Sequence, residues 1–387
     1  MEKKKKKGYT FRKFILDIHL WLGIASAIVL FLVCLSGTVY TFRHEVEQIA
    51  EPHKYHLEKT NAPTQPLSEI ILATQTETKG KVTRISVYDD PARPHELQVS
   101  KSKEDKRGET FFVNQYTNTV IGSGKGPTTE FFMFFFKMHR WLLLDQEIGR
   151  PIVGTATLIF ILLTLTGLFL WIPKKIKGWK SFKPGLKIKF NAKWKRINHD
   201  LHNVLGFYTF LIVLIMAITG LSWSFEWYKD GLGNVLGAKV FGDRNAKKPE
   251  SVPTDSASIT LQDALKISAT ELPYKGKTTI SLPKGPTGSY EISKQNDANF
   301  NKSASDKIVI DQYSGEILQK SIFAEKSTGE KIAAQIKAIH LGEIYGLFSK
   351  IIYFISCLIA TSLPVTGIII WINKLKKKEK KKLAIKP

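Results

Sequence analysis

The chain is poor in cysteine, with two in 387 residues, and both Cys34 and Cys357 lie inside long apolar runs. That count points to neither a disulfide framework nor a cysteine-built metal cluster. The chain also has no HExxH pair, no glycine-rich phosphate loop and no GxGxxG, so it carries no metalloprotease centre, nucleotide site or dinucleotide site that these motifs would mark. Its polar segments offer no Ser/His/Asp set. Acidic residues are scarce as well, 34 against 57 Lys and Arg, for a net charge of +23.

Where the charge sits decides what it means. Residues 1–13, 173–200 and 373–387 hold 25 Lys and Arg against Glu2, Asp200 and Glu379, and so carry +22 of the +23. Between them lie four mostly apolar stretches, 14–42, 151–172, 204–227 and 347–372, each long enough to cross a ~30 Å hydrocarbon layer. In a four-span chain the three basic segments share one side, which the positive-inside rule makes the cytoplasm. Topology and attraction to anionic lipid heads account for the charge, leaving no call for a nucleic-acid partner. The first apolar run follows a basic segment as a signal peptide would, yet it is too long and is followed by FRHEVE rather than a cleavage site. It reads as an uncleaved anchor.

The resulting order is a basic N-terminus (1–13), span one (14–42), an external segment (43–138), an interfacial helix with span two (139–172) and a basic loop (173–200). Span three (201–227), a second external segment (228–339), an interfacial segment with span four (340–372) and a lysine-rich tail (373–387) complete it. The halves resemble each other. His19 precedes Gly23 and Gly37, and His202 precedes Gly206 and Gly220, with both histidine-to-second-glycine offsets equal to 18. Eighteen residues make five helical turns, so each histidine shares a face with its glycines. His139 in FFKMHRWLLL and His340 in IKAIHLGEIYG precede the TG pairs of spans two and four by 28 and 27 residues to the glycine. The external segments repeat too, FFVNQYTNTVIG against IVIDQYSGEILQ.

Each external segment opens with a helical pattern (68–76 and 260–272) and continues with alternating strands such as TRISVYDD and TTISLP, with turns at NQYTN and DQYSG. The expected architecture is a four-helix transmembrane bundle built from two repeats, with two external α+β domains.

Nine histidines remain to be sorted. His53, His56 and His95 lie in polar external sequence and read as solvated. His19 and His202 stand in spans that run the same way, so both imidazoles fall near the cytoplasmic side and can face each other. His139 and His340 form the matching outer pair. Ionisable groups in or beside spans are costly and usually have a partner or a cofactor. Haem iron suits two imidazoles from facing helices, with the glycines clearing space for a flat macrocycle; zinc would want three or four ligands per site. Purely structural histidines are the alternative. No CxxCH exists for covalent haem attachment. His44 and His199 are not duplicated and rank as reserve ligands, propionate partners or proton carriers. Arg43, Arg140, Arg150 and Arg196 could neutralise propionates.

On the HxWxG of His19–Gly23, the MHRWLL of His139, the DLHxxxG of His202–Gly206 and the HxGxxxG of His340–Gly346, nearly the whole chain resembles the PepSY-associated transmembrane family, also called iron-regulated membrane proteins. Its better understood members look like ferric-siderophore reductases of the bacterial inner membrane. The resemblance implies PepSY-like external domains in the periplasm and about two b-type haems ligated by His19, His202, His139 and His340. It also implies electron transfer to a ferric siderophore or other ferric chelate. The donor would be membrane quinol or a cytoplasmic reductase. A non-redox anchor or sensor that binds a peptidase or ligand externally is the competing reading.

Overall fold

A computed structural model describes residues 9–383 except 59, 103, 104, 106, 107, 243–248 and 256. Helix α1 (Phe11–Thr41) starts at Thr10, whose side chain accepts from the Lys13 N–H, and is followed by the short α2 (Arg43–Ala50). The external segment then forms α3 (Leu67–Thr78) and strands β1 (Lys81–Val87), β2 (His95–Ser100), β3 (Glu109–Asn114) and β4 (Thr119–Ser123). The chain returns through α4 (Pro127–Trp141) into α5 (Gln146–Trp171).

The same succession follows again. Helix α6 (Trp194–Asp200) passes through a π-helical stretch, Leu201–Leu205, into α7 (Gly206–Leu221), and α8 (Glu226–Leu236) leads outward. Then come α9 (Leu261–Glu271), β5 (Thr278–Ser281), β6 (Ser289–Gln295), β7 (Ser305–Asp311), β8 (Ile317–Ser321), α10 (Thr328–Leu341) and α11 (Leu347–Leu383). Capping boxes at Thr260/Asp263 and Ser327/Glu330 fix the starts of α9 and α10.

Among the described residues four helices are long and apolar enough to cross a membrane: α1, α5, the α6–α7 run and α11. The chain is a multi-pass membrane protein. Within the bundle α1 packs on α5 and α11, and α7 on the same two helices. Small residues permit the close approach: Ser26, Ala27, Cys34, Ser36 and Thr38 form the buried side of α1. The third span begins at Trp194, earlier than its apolar run suggests, and its buried polar residues Asn198 and Asp200 find partners within the protein. Asn198 Nδ2 donates to the Thr366 carbonyl at 3.0 Å, and Asp200 accepts from Arg196 Nε and the Lys189 N–H.

The two external segments do not form separate sheets. Their strands join in one antiparallel sheet of order β4-β3-β2-β1-β5-β6-β7-β8, with Ile85 opposite Ile280 at the β1–β5 seam. Each half alone would leave that edge of hydrogen-bonding groups unpaired. One core spans the seam, with Ile70, Ile85, Leu97, Ile280, Ile292 and Ile308 all nearly inaccessible beneath α3 and α9. His95, expected in solvent, instead stands opposite Val113 at 8% exposure, and burial pushes its imidazole down to about 4.

Two matching turns set the outer histidines. Gly342 (φ 71°) ends α10, and a Cβ there would meet the Tyr353 ring at 2.5 Å. The corresponding break after α4 uses Leu142 and Leu143 at φ 56° and 60°, a conformation that costs a non-glycine residue about 1–2 kcal/mol.

Candidate functional site

The four duplicated histidines come together as two couples. His19 on α1 faces His202 in the π stretch, with ring centres 6.3 Å apart and planes at 85°. His139 on α4 faces His340 on α10, with centres 6.1 Å apart and planes at 52°. His19 lies 14 residues before Val33, whose carbonyl meets His139, so the couples are separated by ~21 Å along α1. The wider π turn under His202 is of a kind often found at functional sites.

Each imidazole is held through Nδ1. His19 Nδ1 is 2.9 Å from Thr166 Oγ1 and His202 Nδ1 is 2.9 Å from Thr366 Oγ1. His139 Nδ1 is 2.8 Å from the Val33 carbonyl, and His340 Nδ1 is 2.9 Å from the Met216 carbonyl and 3.1 Å from Thr219 Oγ1. The three threonine hydroxyls already donate to carbonyls of their own helices, at Leu162, Ser362 and Ile215 respectively among others. A carbonyl can only accept, and a committed hydroxyl has only its lone pairs left. All four imidazoles therefore donate through Nδ1–H and keep the Nε2 lone pair for a ligand, the arrangement found in metal-binding histidines.

Glycine admits each ring. A Cβ at Gly37 would lie 3.1 Å from His139 Cε1, one at Gly220 would lie 3.0 Å from His340 Cε1, and those at Gly167 and Gly367 would lie 3.3 Å from His19 and His202 Cε1. The same local unit thus recurs four times, a Ser or Thr followed by Gly at 36–37, 166–167, 219–220 and 366–367, with one imidazole against it.

The outer couple opens on a cavity of about 700 Å³, within the range of small-molecule and cofactor sites. Its interior is apolar, with Leu30, Phe160, Val213 and Ala360, while Arg43, Arg140, Lys337 and Lys350 stand among the lining. Arg43 and Lys350 meet acids. Arg43 Nε donates to Glu47 at 2.8 Å, and Lys350 Nζ meets both Glu45 oxygens at 2.8 and 2.9 Å. Arg140 lies over the rings of Phe136 and Trp141. Cys357 Sγ donates to the Cys34 carbonyl at 3.3 Å beside the cavity. Among the described residues no three His, Cys, Asp or Glu side chains converge as a metal cluster.

The family described as PepSY-associated TM region matches residues 16–374, nearly the whole length. The chain belongs to that family. No curated protein matches it.

In this PepSY-associated chain the remaining site candidates fall unevenly. His44 lines the cavity with its Nε2 3.1 Å from Gln48 Nε2, and His199 is exposed, its Nδ1 3.5 Å from Asp200. Neither meets a second histidine ring. Gly23 and Gly206 do not touch the imidazoles: Cβ atoms there would meet Leu163 and Leu363 in ordinary contact at 3.8 Å. Gly37 and Gly220 make room for a neighbouring helix's histidine, which occupies the space the sequence suggested for a macrocycle. Sequence reasoning used the TG pairs 166–167 and 366–367 only to align the two halves, gave Thr166, Gly167, Thr366, Gly367 and Thr219 no part in the site, and passed over Lys337. The recurrent Ser/Thr-Gly pair in all four spans was the available signal for most of them.

Proposed function

We propose that this chain is a transmembrane b-type dihaem reductase that passes electrons across the cytoplasmic membrane to a ferric chelate on the external face, releasing iron for uptake. The observation that carries this reading is the pair of facing imidazole couples with tied Nδ1 atoms. Two imidazoles sharing one metal ion, each nitrogen ~2 Å from it, hold their ring centres ~6 Å apart, and the couples here stand at 6.3 and 6.1 Å. Haem b held by His19/His202 and by His139/His340 would supply one-electron chemistry at each end of the bundle.

The chain's own residues then do the positioning. Thr166, Thr366 and the carbonyls of Val33 and Met216 fix ring orientation and raise ligand basicity. The apolar lining of the outer cavity suits a macrocycle's ring, and Arg140 and Lys337 suit its carboxylates. The halves are read as two repeats of one unit, with the basic segments inside and the shared sheet outside.

A polar ferric chelate cannot cross the apolar spans, so it meets the protein at the outer couple. With haem held at both couples, electrons supplied from within would reach the His19/His202 couple before the outer one. The donor is membrane quinol or a reductase partner. A quinol releases two electrons and two protons, and so reduces two Fe(III) chelates to Fe(II), which siderophores hold much less tightly.

The test is stopped-flow reoxidation in nanodiscs. His340→Ala should leave an inner centre that the donor reduces but added ferric siderophore no longer reoxidises quickly. His202→Ala should leave an outer centre that dithionite reduces and the chelate reoxidises, yet the donor does not reach. Near-normal chelate-driven reoxidation in His340→Ala refutes the outer couple as the exit site.

A further inference from the structure

A second concavity, of about 820 Å³, lies in the basic loop between the second and third spans and has no part in the histidine chemistry. Lys183, Lys187, Lys189 and Arg196 line it, and among the described residues no acid does. The nearby carboxylate, Asp200, is 2% exposed and taken by Arg196 Nε at 2.9 Å and the Lys189 N–H at 3.2 Å. The rest of the lining includes Pro184, Ile188, Phe190 and Ala192. One concave surface thus offers several cations beside an apolar wall.

The loop is fastened to the ends of both spans. Trp171 Nε1 donates to the Gly185 carbonyl at 2.9 Å and Tyr208 OH donates to the Leu186 carbonyl at 3.1 Å. Trp171 also stacks on Phe207 at 3.7 Å. Around the concavity Trp179, Phe190 and Trp194 are 69%, 72% and 61% exposed. Exposed aromatics at the ends of spans sit at the level of lipid headgroups.

We propose that this concavity is a binding site for one anionic phospholipid, its phosphate held by Lys183, Lys187, Lys189 and Arg196 and its glycerol and upper chains against Pro184, Ile188 and Phe190. The shared chemistry is a phosphate anion, and basic pockets at the cytoplasmic ends of membrane helices take such headgroups. The aromatic surround and the apolar wall favour a lipid over a free phosphate, which has no apolar part to place there. Arg196 links the site to the bundle: it holds Asp200, two residues before His202.

Native mass spectrometry of the full chain in detergent tests this with phosphatidylglycerol, phosphatidylcholine and inorganic phosphate as separate probes. The wild-type chain should retain one phosphatidylglycerol in preference to phosphatidylcholine. Lys187→Gln/Lys189→Gln should weaken that retention about thirtyfold, from two lost cations. Lys374→Gln/Lys376→Gln, with the same change of net charge on α11, should keep it. Thermal melting of both variants shows that they fold. Equal loss in the two variants, or loss in neither, overturns the site. Binding of inorganic phosphate abolished by Lys187→Gln/Lys189→Gln, with no retained lipid, overturns the lipid as occupant.

Discussion

The imidazole of His139 rests against Gly37 so closely that a methyl group on that glycine would lie 3.1 Å from both its Cε1 and its Nδ1. His340 and Gly220 repeat the contact at 3.0 Å from Cε1. A methyl group on α1 at this point therefore fits only if the histidine from α4 gives way by a few tenths of an ångström, and one on α7 only if the histidine from α10 does.

Gly37→Ala and Gly220→Ala should push the outer imidazoles off their carbonyl partners and weaken cofactor retention at that couple. Gly23→Ala and Gly206→Ala, with nothing nearer than 3.8 Å, should be tolerated. Optical titration of haem into the four variants compares them. Equal effects at all four positions would mean that the tight contacts do not matter.

Thr166→Val keeps shape and removes the Oγ1 acceptor of His19 Nδ1. A less basic ligand stabilises the oxidised metal less, so the inner couple's potential should rise and its affinity fall about tenfold. The outer couple should not move. A redox titration that finds both couples unchanged would show the hydroxyl to be idle.

His95 predicts a pH dependence in the external sheet. Its folded value of about 4 lies below the ordinary value near 6.5, so the unfolded state binds the extra proton. Its neutral form is fully compatible with folding above about pH 6.5, and stability falls as pH drops towards 4, by about 2–4 kcal/mol. His95→Leu should flatten that part of the urea-stability profile between pH 7 and 4.5. An unchanged slope assigns the effect elsewhere.

The seam makes the external region one folding unit. Ile280 is fully buried opposite Ile85, and Ile280→Ala should cost about 2–5 kcal/mol. Denaturation followed by probes in each half should move together. Two separate transitions, with only the second half affected, would contradict a shared core.

The spans and the histidine couples were legible because both rest on local spacing: apolar length, an offset of 18 residues, and duplicated motifs. The sheet seam was not, since pairing β1 with β5 joins residues about two hundred positions apart and leaves no local mark. His95 was misplaced by its polar neighbours, although the alternation HELQV put it on the face of Leu97 and Val99. The start of the third span was hidden because Asn198 and Asp200 look like loop residues until their partners, Thr366, Arg196 and Lys189, are in view. The role of Gly37 was half legible: the need for space was apparent in the sequence, but not that a histidine from another helix fills it.

The most direct test is the reduced-minus-oxidised optical spectrum of the purified chain with acid-acetone extraction and haem quantification. Two imidazole couples predict a Soret band with sharp reduced α and β bands, about two extractable haems per chain, and roughly half the haem lost in His139→Ala and in His202→Ala. A colourless protein that stays colourless after reconstitution with haem would contradict the account and leave the histidines as structural groups in a membrane anchor.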